Sequence, residues 1–330
     1  MKQKVKKLII ESQRVNATDI HFMLSDTIQK CDIRGIKGFK EFKDDSIKEI
    51  FQYLKYCANL DLGNLSSPQS GTFQLDIDHT TYYFRFSCIS TYLNQTGVLR
   101  ILNNHPVLSI EDLSYKRSQN LLFKKWCHLR GGLILFSGPT GCGKSTTLHV
   151  LLEEIAKKNQ LKIITLEDPI EIMSQNYLQL QINEKMDFTY EEGIRQLLRH
   201  DPDIIMIGEI RDSKCAEMVY RAALSGHLVF STIHAKTASE TIKRLEDLGL
   251  SKSNLKETLT AVVNQRLYPN IKRKGRVCIY EILHGKELQA FLETKQMENH
   301  KTIYDEIKDA VKKNIIKQSD AKVDLYDQQE

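Results

Sequence analysis

The hydrophobic pattern of the chain changes about a third of the way along, and each part predicts its own architecture. Before residue 106, apolar and polar positions alternate in short runs such as Thr81–Ser87 and Gly97–Leu102. Such alternation is typical of half-buried strands, and closely spaced strands favour an antiparallel sheet. Residues 1–16 instead form one apolar helical face, which we expect to pack on its own domain rather than on a membrane surface. Residues 1–105 are therefore predicted to form a small α+β domain.

Beyond residue 110, predicted helices alternate with runs that are apolar at every position. These runs are Leu133–Phe136, Ile163–Leu166, Ile204–Ile207 and Leu228–Ile233. A run that is apolar on both faces suits a parallel strand buried between helices. This pattern therefore predicts that residues 106–330 form an α/β domain. Within it, we expect lysine-rich helices after about residue 285 and a frayed end at Asp324–Glu330.

Composition limits the class of protein. The chain has 330 residues, 41% hydrophobic and 27% charged, which is ordinary for a soluble globular protein of about two domains. The net charge of +5 is too small to indicate nucleic-acid binding by itself. We find no bilayer-spanning apolar run and no signal-peptide core, so we expect a cytosolic protein.

The seven cysteines are scattered and include no C-x-x-C pair, which argues against disulfides and against a four-cysteine zinc site. Cys142 is interpreted as a small side chain in a tight turn rather than as an accessible thiol.

The strongest local signal is the segment Gly138–Ser145, which matches the phosphate-binding pattern GxxxxGK[ST]. An apolar strand, Gly132–Ser137, precedes it and a predicted helix follows, which is the context that the pattern requires. Loop glycines let backbone N–H groups turn toward phosphate oxygens, and the helix N-terminus adds its positive dipole. Lys144 can reach the β- and γ-phosphates, and the Ser145 hydroxyl can bind Mg²⁺. The predicted nucleotide-binding residues are Gly138, Pro139, Thr140, Gly141, Cys142, Gly143, Lys144, Ser145 and Thr146.

Two predicted strands of the α/β domain end in acidic residues. The strand ending at Leu166 is followed by Glu167 and Asp168, and the strand ending at Ile207 is followed closely by Glu209. Parallel sheets place their sites at the carboxyl ends of strands, so we expect these carboxylates near the phosphate loop. Glu209 is then suited to orient or deprotonate the attacking water, and to hold Mg²⁺ through water. Each acidic strand end alone would equally fit a surface turn or a helix cap.

An ordered set of motifs gives the chain a specific resemblance. The motifs are Glu167–Glu171, Leu198–Asp212, Ser225–His234, Val263–Leu267 and Gly275–Glu281. The first three resemble the aspartate box, the Walker B segment and the histidine box of the secretion ATPase superfamily, and the last two also match it. This superfamily comprises the hexameric motors of type II secretion and type IV pilus assembly. The resemblance covers about residues 15–285 and implies a RecA-like P-loop core that hydrolyses ATP.

The resemblance implies roles for side chains at the strand ends. Glu209 would be the catalytic carboxylate, and Glu167 and Asp168 would act near Mg²⁺ and the γ-phosphate. His227 and His234 would sense the γ-phosphate and couple it to subunit motion. Without the resemblance, the two histidines are ordinary residues at the ends of a buried strand.

Two arginines of the first domain also match the family. Arg85 and Arg100 lie on predicted strands that resemble its Arg-x-Ser and Arg-x-Leu segments. In the family these arginines project onto nucleotide phosphates, where they stabilise charge on the transferring phosphoryl group. A single arginine on a sheet is otherwise a solvated partner of a carboxylate.

The chain lacks the family's four-cysteine insert after the Gln-Arg-Leu segment, so we expect no zinc. Its short architecture most resembles the competence-pilus ATPases of Gram-positive bacteria, which serve DNA uptake. That resemblance implies a homo-hexamer at the inner face of the cell membrane, acting on a polytopic platform protein and only indirectly on pilins. Three alternatives remain open: a pilus-retraction motor of the same family, a nucleic-acid translocase, and a nucleotide-dependent scaffold with little turnover. The translocase reading is weakened because no basic stripe interleaved with aromatic residues is present, so direct nucleic-acid binding is not expected.

Overall fold

The computed structural model describes residues 1–15, 17, 19–35, 38–63, 67–78, 80–91, 93–102, 108–158, 161–183, 186–273, 275–297 and 300–326. The chain divides into two compact units, Met1–Val107 and Leu108–Glu330. The boundary that the sequence suggests near residue 105 lies outside the described residues. None of the described helices combines the length and apolar content that crossing a membrane needs.

The first unit is an α+β fold with an antiparallel sheet. Its elements are α1 (Lys2–Arg14), β1 (Asp19–Leu24), β2 (Gln29–Gly35), β3 (Gly38–Glu41), α2 (Ile47–Cys57), β4 (Gln69–Ile77), β5 (Thr80–Ser90) and β6 (Gln95–Ile101). The strand order is β3-β2-β1-β6-β5-β4, and each described pair is antiparallel. The core joins the apolar faces of α1 and α2 to alternate strand residues, with Phe22, Phe51 and Phe86 in edge-to-face contact at 5.3–6.0 Å. The predicted α+β domain is therefore confirmed.

The second unit contains the longer sheet and most of the helices. Its helices are α3 (Ile110–Leu113), α4 (Arg117–Trp126), α5 (Lys144–Lys158), α6 (Tyr190–Leu198), α7 (Ser213–Leu224), α8 (Ala238–Asp247), α9 (Lys252–Thr258), α10 (Gly285–Thr294), α11 (Ile303–Lys312) and α12 (Gln318–Tyr326). Its strands are β7 (Gly132–Ser137), β8 (Ile163–Glu167), β9 (Leu178–Gln181), β10 (Ile204–Ile207), β11 (Leu228–Ile233), β12 (Leu259–Pro269) and β13 (Arg276–His284).

This sheet has the order β13-β12-β7-β11-β10-β8-β9, and β13 is antiparallel to β12 while the other described pairs are parallel. Side chains alternate between its faces: Leu133 and Leu135 of β7 join the cluster with α6, α7 and α8, whereas Ile134 and Phe136 join the cluster with α4 and α5. Both faces are therefore buried, which confirms the predicted α/β core. Because β11 lies between β7 and β10, the segments that follow these three strands are neighbours along the carboxyl edge.

Two parts of this unit differ from the expectation. The apolar pattern predicts neither β9 nor β12. It misses β12 because this strand carries the polar residues Asn264, Gln265 and Arg266, all of which are buried. The frayed end expected from Asp324 is wrong in its first part, since α12 continues to Tyr326. Residues 327–330 lie outside the described part of the chain.

Candidate nucleotide site

The phosphate loop joins β7 to α5 at the carboxyl edge of the second sheet. Gly138, Gly141 and Gly143 have φ values of 142°, 78° and 90°, in the region that favours glycine. At Gly138, a Cβ atom would also lie 2.5 Å from the carbonyl oxygen of Gln265. Since α5 begins at Lys144, the positive end of its dipole lies at the loop. The loop therefore has the backbone geometry of an anion cradle.

The ammonium group of Lys144 is held inside this loop. Its Nζ donates to the carbonyl oxygens of Gly138 at 2.9 Å and Pro139 at 3.1 Å. Burial lowers the pKa of Lys144 below the ordinary lysine value, and the carboxylates of Glu209 and Glu171 act in the opposite direction. Phosphate oxygens are stronger partners for an ammonium than neutral carbonyls, so the group is suited to move onto a bound nucleotide.

The remaining loop residues divide by exposure. Pro139, Thr140 and Gly141 are exposed, whereas Ser145 and Thr146 are half-buried in the first turn of α5. Cys142 is buried, and burial raises the pKa of its thiol above the usual cysteine value. The thiol is therefore neutral and enclosed, which agrees with its interpretation as a small side chain in a tight turn.

Three strand ends converge beside the loop. Thr232 Oγ1 on β11 donates to Gly208 O at 2.6 Å, and Gly208 N donates to Leu166 O of β8 at 2.8 Å. These bonds hold the segments after β8, β10 and β11 side by side. Glu209 Oε2 consequently lies 3.5 Å from Nε2 of His234, the first residue after β11. The structure therefore brings together a carboxylate and an imidazole beside the phosphate loop.

Glu167, the last residue of β8, is a buried carboxylate at this edge. It is 8% exposed, and its Oε1 accepts hydrogen bonds from Thr165 Oγ1 at 2.7 Å and Gln179 Nε2 at 3.1 Å. Burial raises the pKa of Glu167 above the usual glutamate value, and the two hydrogen bonds oppose that shift. The side chain is thus fixed in orientation, and its negative charge is costly in the folded protein.

Arg211 is a site residue to which the sequence analysis assigned no role. Its guanidinium donates to Asp168 Oδ2 at 2.8 Å and also forms an ion pair with Glu209. The same group lies 5.4 Å from the centre of the Tyr190 ring. The sequence does carry a signal for Arg211, because it lies two residues after Glu209. Side chains two residues apart in an extended segment point to the same side. Arg211 therefore forms ion pairs with two carboxylates of this edge, Asp168 and Glu209.

The structure places His227 away from this site. His227 precedes β11 at the amino edge of the sheet, and its Nδ1 lies 3.0 Å from Ala222 O and 2.9 Å from Ser225 Oγ. The six residues of β11 separate it from His234, a span of about 20 Å along a strand. Within its own chain, His227 therefore lies at the edge opposite the phosphate loop, and its expected part in sensing the γ-phosphate and coupling it to subunit motion stays a prediction. Two ends of one parallel strand cannot reach the same edge of a sheet.

Arg85 and Arg100 are neighbours within the first unit. They are directly opposite on β5 and β6, so their side chains share one face of that sheet. Arg100 Nε donates to Asp19 Oδ1 at 2.7 Å, and Arg85 Nε donates to Ser70 Oγ at 3.1 Å. Like charges placed directly opposite destabilise a sheet, so this pair suits an anionic ligand.

The described residues contain no group of three or more histidine, cysteine or acidic side chains that could hold a metal ion by themselves. Mg²⁺ rarely needs such a group, because it retains water and binds one or two protein oxygens together with substrate phosphates. The Ser145 hydroxyl at the loop, with Asp168 and Glu209 at the same edge, fits that mode of binding.

Comparisons with known proteins identify the family. The profile described as "Type II/IV secretion system protein" matches residues 1–327. "Competence protein ComGA" of Bacillus subtilis (strain 168) is 31% identical over 94% of this chain and 92% of its own. "Type IV pilus assembly ATPase PilB" of Acinetobacter baylyi (strain ATCC 33305 / BD413 / ADP1) is 34% identical over 80% of this chain and 46% of its own.

A solved structure supports the same assignment. The crystal structure of "the Pilus Retraction Motor PilT and Bound ADP" matches with a TM-score of 0.80 and 26% identity, over 97% of this chain and 96% of that one. The match extends across both units and includes a protein that holds a nucleotide. With the RecA-like core and the ordered motifs, these findings show that the chain belongs to the type II/IV secretion system protein family, as a secretion-type ATPase.

Proposed function

We propose that this protein is an ATP-hydrolysing motor that powers assembly of a competence pilus or pseudopilus and so supports DNA uptake. The observation that carries the proposal is the convergence of the phosphate loop and the Glu209–His234 pair at one edge of the sheet. A nucleotide cradle beside a positioned carboxylate is the arrangement that phosphoryl transfer to water requires. The similarity to competence proteins over nearly the whole chain supports the pilus-assembly role.

Binding begins at the loop. The backbone N–H groups of Gly141–Thr146, at the N-terminus of α5, donate hydrogen bonds to the phosphate oxygens of ATP. Lys144 exchanges the carbonyls of Gly138 and Pro139 for β- and γ-phosphate oxygens. Ser145 would hold Mg²⁺, with Asp168 and Glu209 acting through water, and the ion would supply positive charge that neutralises the phosphates.

Hydrolysis then depends on Glu209. This carboxylate orients the attacking water and accepts its proton, while His234 lies against the same carboxylate and responds to the γ-phosphate. Arg211 must release Glu209 before this carboxylate oxygen can receive a water molecule, because the guanidinium occupies Oε1. Glu167, held by Thr165 and Gln179, is a fixed negative charge or proton carrier at the same edge.

Arg85 and Arg100 would supply positive charge from the first unit to the transferring phosphoryl group. Their side-by-side placement on β5 and β6 supports a shared anionic ligand. The protein would act as a homo-hexamer, peripherally at the inner face of the cell membrane, where domain closure exerts force on a polytopic platform protein. These last features rest on the family resemblance.

A retraction motor is the second candidate. The structural similarity to a pilus retraction motor at a TM-score of 0.80 favours it specifically. Deletion of the gene in its own host separates the two: loss of surface pili supports assembly, whereas accumulation of pili supports retraction. Stimulation of hydrolysis by DNA would instead favour a nucleic-acid translocase.

ATP turnover by the purified full-length protein tests the enzymatic part. We expect Glu209→Gln to lower kcat by about 10²–10⁴-fold, because the water loses its base, and Lys144→Ala to abolish turnover and pilus assembly with the fold intact. Glu217→Gln is the matched control, since Glu217 lies on the outside of α7 and pairs with Arg221. If wild type hydrolysed ATP no faster than Glu209→Gln, the enzyme assignment would be lost.

A further inference from the structure

The segment Asn264-Gln265-Arg266 of β12 is unusually polar for its position. It lies beside β7, the strand that leads into the phosphate loop, and its three residues are between 0% and 7% exposed. Burying an amide or a guanidinium is costly unless each polar group finds a partner. The partners of these three side chains therefore indicate what the segment is for.

Gln265 is bonded to the phosphate loop. Its Nε2 donates to Cys142 O at 2.7 Å, and its backbone carbonyl is the atom that a Cβ at Gly138 would strike. Through these contacts, β12 supports the main chain of the phosphate loop. This residue should influence how tightly the nucleotide binds.

Asn264 and Arg266 are bonded instead to the segment that follows His234. Asn264 Nδ2 donates to Ala235 O at 3.0 Å, and Arg266 Nη2 donates to Lys236 O at 2.9 Å. Arg266 Nη1 also donates to Asn264 Oδ1 at 2.9 Å, which fixes the amide. Two consecutive carbonyls directly after His234 are thus held by β12, the first by Asn264 and the second by Arg266.

Arg266 in turn depends on the C-terminal helix. Its Nε donates to Asp324 Oδ1 at 2.9 Å, and the hydroxyl of Tyr268 donates to Asp324 Oδ2 at 2.5 Å. The Arg266 side chain is 8% exposed and that of Asp324 is 26% exposed. Removing the carboxylate from such a pair leaves an unpaired buried charge, which shifts to find other partners.

We propose that Asp324 on α12 is a positioning residue for ATP hydrolysis: through Arg266 it holds the main chain after His234, and so the His234–Glu209 pair, in place. This inference rests on the proposed ATPase function. It assigns different main tasks to adjacent residues of β12: the Gln265 side chain bonds the phosphate loop, whereas Arg266 bonds the segment after His234 and, at 3.0 Å through Nη1, the Gln265 carbonyl. The C-terminal helix therefore sets the rate of turnover rather than the affinity for nucleotide.

The test compares kcat, KM for ATP and Kd for ADP in the full-length protein. We expect Asp324→Asn to lower kcat about tenfold, with KM and Kd within about twofold of wild type, since a small misplacement of reacting groups affects turnover more than binding. Asp324→Glu keeps the charge and should recover part of kcat. Gln265→Ala should instead weaken ADP binding. Asp320→Asn is the control, because Asp320 lies on the same helix and bonds Ser319.

The outcomes separate this inference from the function on which it rests. A wild-type protein without turnover would overturn both. Wild-type turnover with an unchanged kcat in Asp324→Asn would overturn the inference alone, as would equal losses of kcat and ADP affinity, which indicate a general structural role. If Asp324→Asn does not fold, Asp324→Glu decides: a lower kcat at unchanged Kd supports the inference, and a wild-type kcat refutes it.

Discussion

Replacement of Gly138 by alanine is the sharpest test of how the phosphate loop is built. Gly138 has a φ of 142°, and the new Cβ would lie 2.5 Å from Gln265 O and 2.7 Å from Cys142 Sγ. The nearer atom belongs to the backbone of β12, which cannot rotate away as a side chain could. The substitution must therefore displace either the loop or the strand.

Two costs add at this position. Backbone strain in a sparsely populated region costs about 1–3 kcal/mol, and overpacking of a close-packed site adds about 1–3 kcal/mol. We therefore expect Gly138→Ala to lower the free energy of unfolding by about 2–6 kcal/mol. Gly141→Ala is the matched control in the same loop, because its φ is 78° but nothing lies within 4 Å of its Cβ. That control should lose only about 1–2 kcal/mol of unfolding free energy.

Denaturant unfolding followed by tryptophan fluorescence measures the difference. Trp126 is the single tryptophan of the chain and is buried in the second unit, so its signal reports that unit. ADP at 100 times its Kd should stabilise wild type by about 2.7 kcal/mol, and Gly138→Ala should lose most of this gain. If Gly138→Ala destabilised the unit no more than Gly141→Ala, the contact with Gln265 would not be what requires glycine.

Two further predictions concern charge at the proposed site. Burial raises the pKa of Glu167 above 4.5, so the folded state binds more protons than the unfolded state from about that pH upward, and stability falls as pH rises through the folded pKa. Glu167→Gln removes this pH-dependent loss of stability. The difference in unfolding free energy between the variant and wild type should therefore favour the variant more at pH 8 than at pH 4, while kcat of the variant falls. An equal difference at both pH values would contradict the raised pKa of Glu167. Arg85→Ala and Arg100→Ala should lower kcat by about 10-fold or more. Arg85→Ala should change the free energy of unfolding by less than about 1 kcal/mol, whereas Arg100→Ala should cost about 1–3 kcal/mol because it removes a charged partner of the buried Asp19 carboxylate. Circular dichroism and steady-state turnover check both effects, and an undiminished kcat would remove the arginines from the mechanism.

Much of the fold follows from the chain's hydrophobic periodicity. β7, β8, β10 and β11 are apolar at every position because both faces of their sheet are covered, and this pattern is readable without a structure. β12 escaped prediction because its buried polar residues interrupt the apolar run. Those residues are bonded to segments distant in sequence, so the reason for their burial is visible only in three dimensions.

The candidate nucleotide site, like the fold, could be predicted from the sequence only in part. The convergence of acidic strand ends near the phosphate loop could be expected, since parallel strands end at a common edge. The identity of the partners could not, because it depends on strand order: β11 lies between β7 and β10, which sets His234 against Glu209. The separation of His227 from His234 also needed the structure, because β11 places these two residues of one motif at opposite edges of the sheet.

The sequence by itself determined the phosphate loop, since the turn is made by consecutive residues whose backbone preferences are local: three glycines at positive φ, then a helix that begins at Lys144. Only the tertiary structure decided which distant side chains contact that loop and the strand ends beside it. The bond of Gln265 to Cys142 spans 123 positions, the pair of Arg266 with Asp324 spans 58, and the bond of Arg211 to Asp168 spans 43. Such contacts form because burial forces each polar group to find a partner wherever packing brings one, and no local pattern of residues records which partner that is.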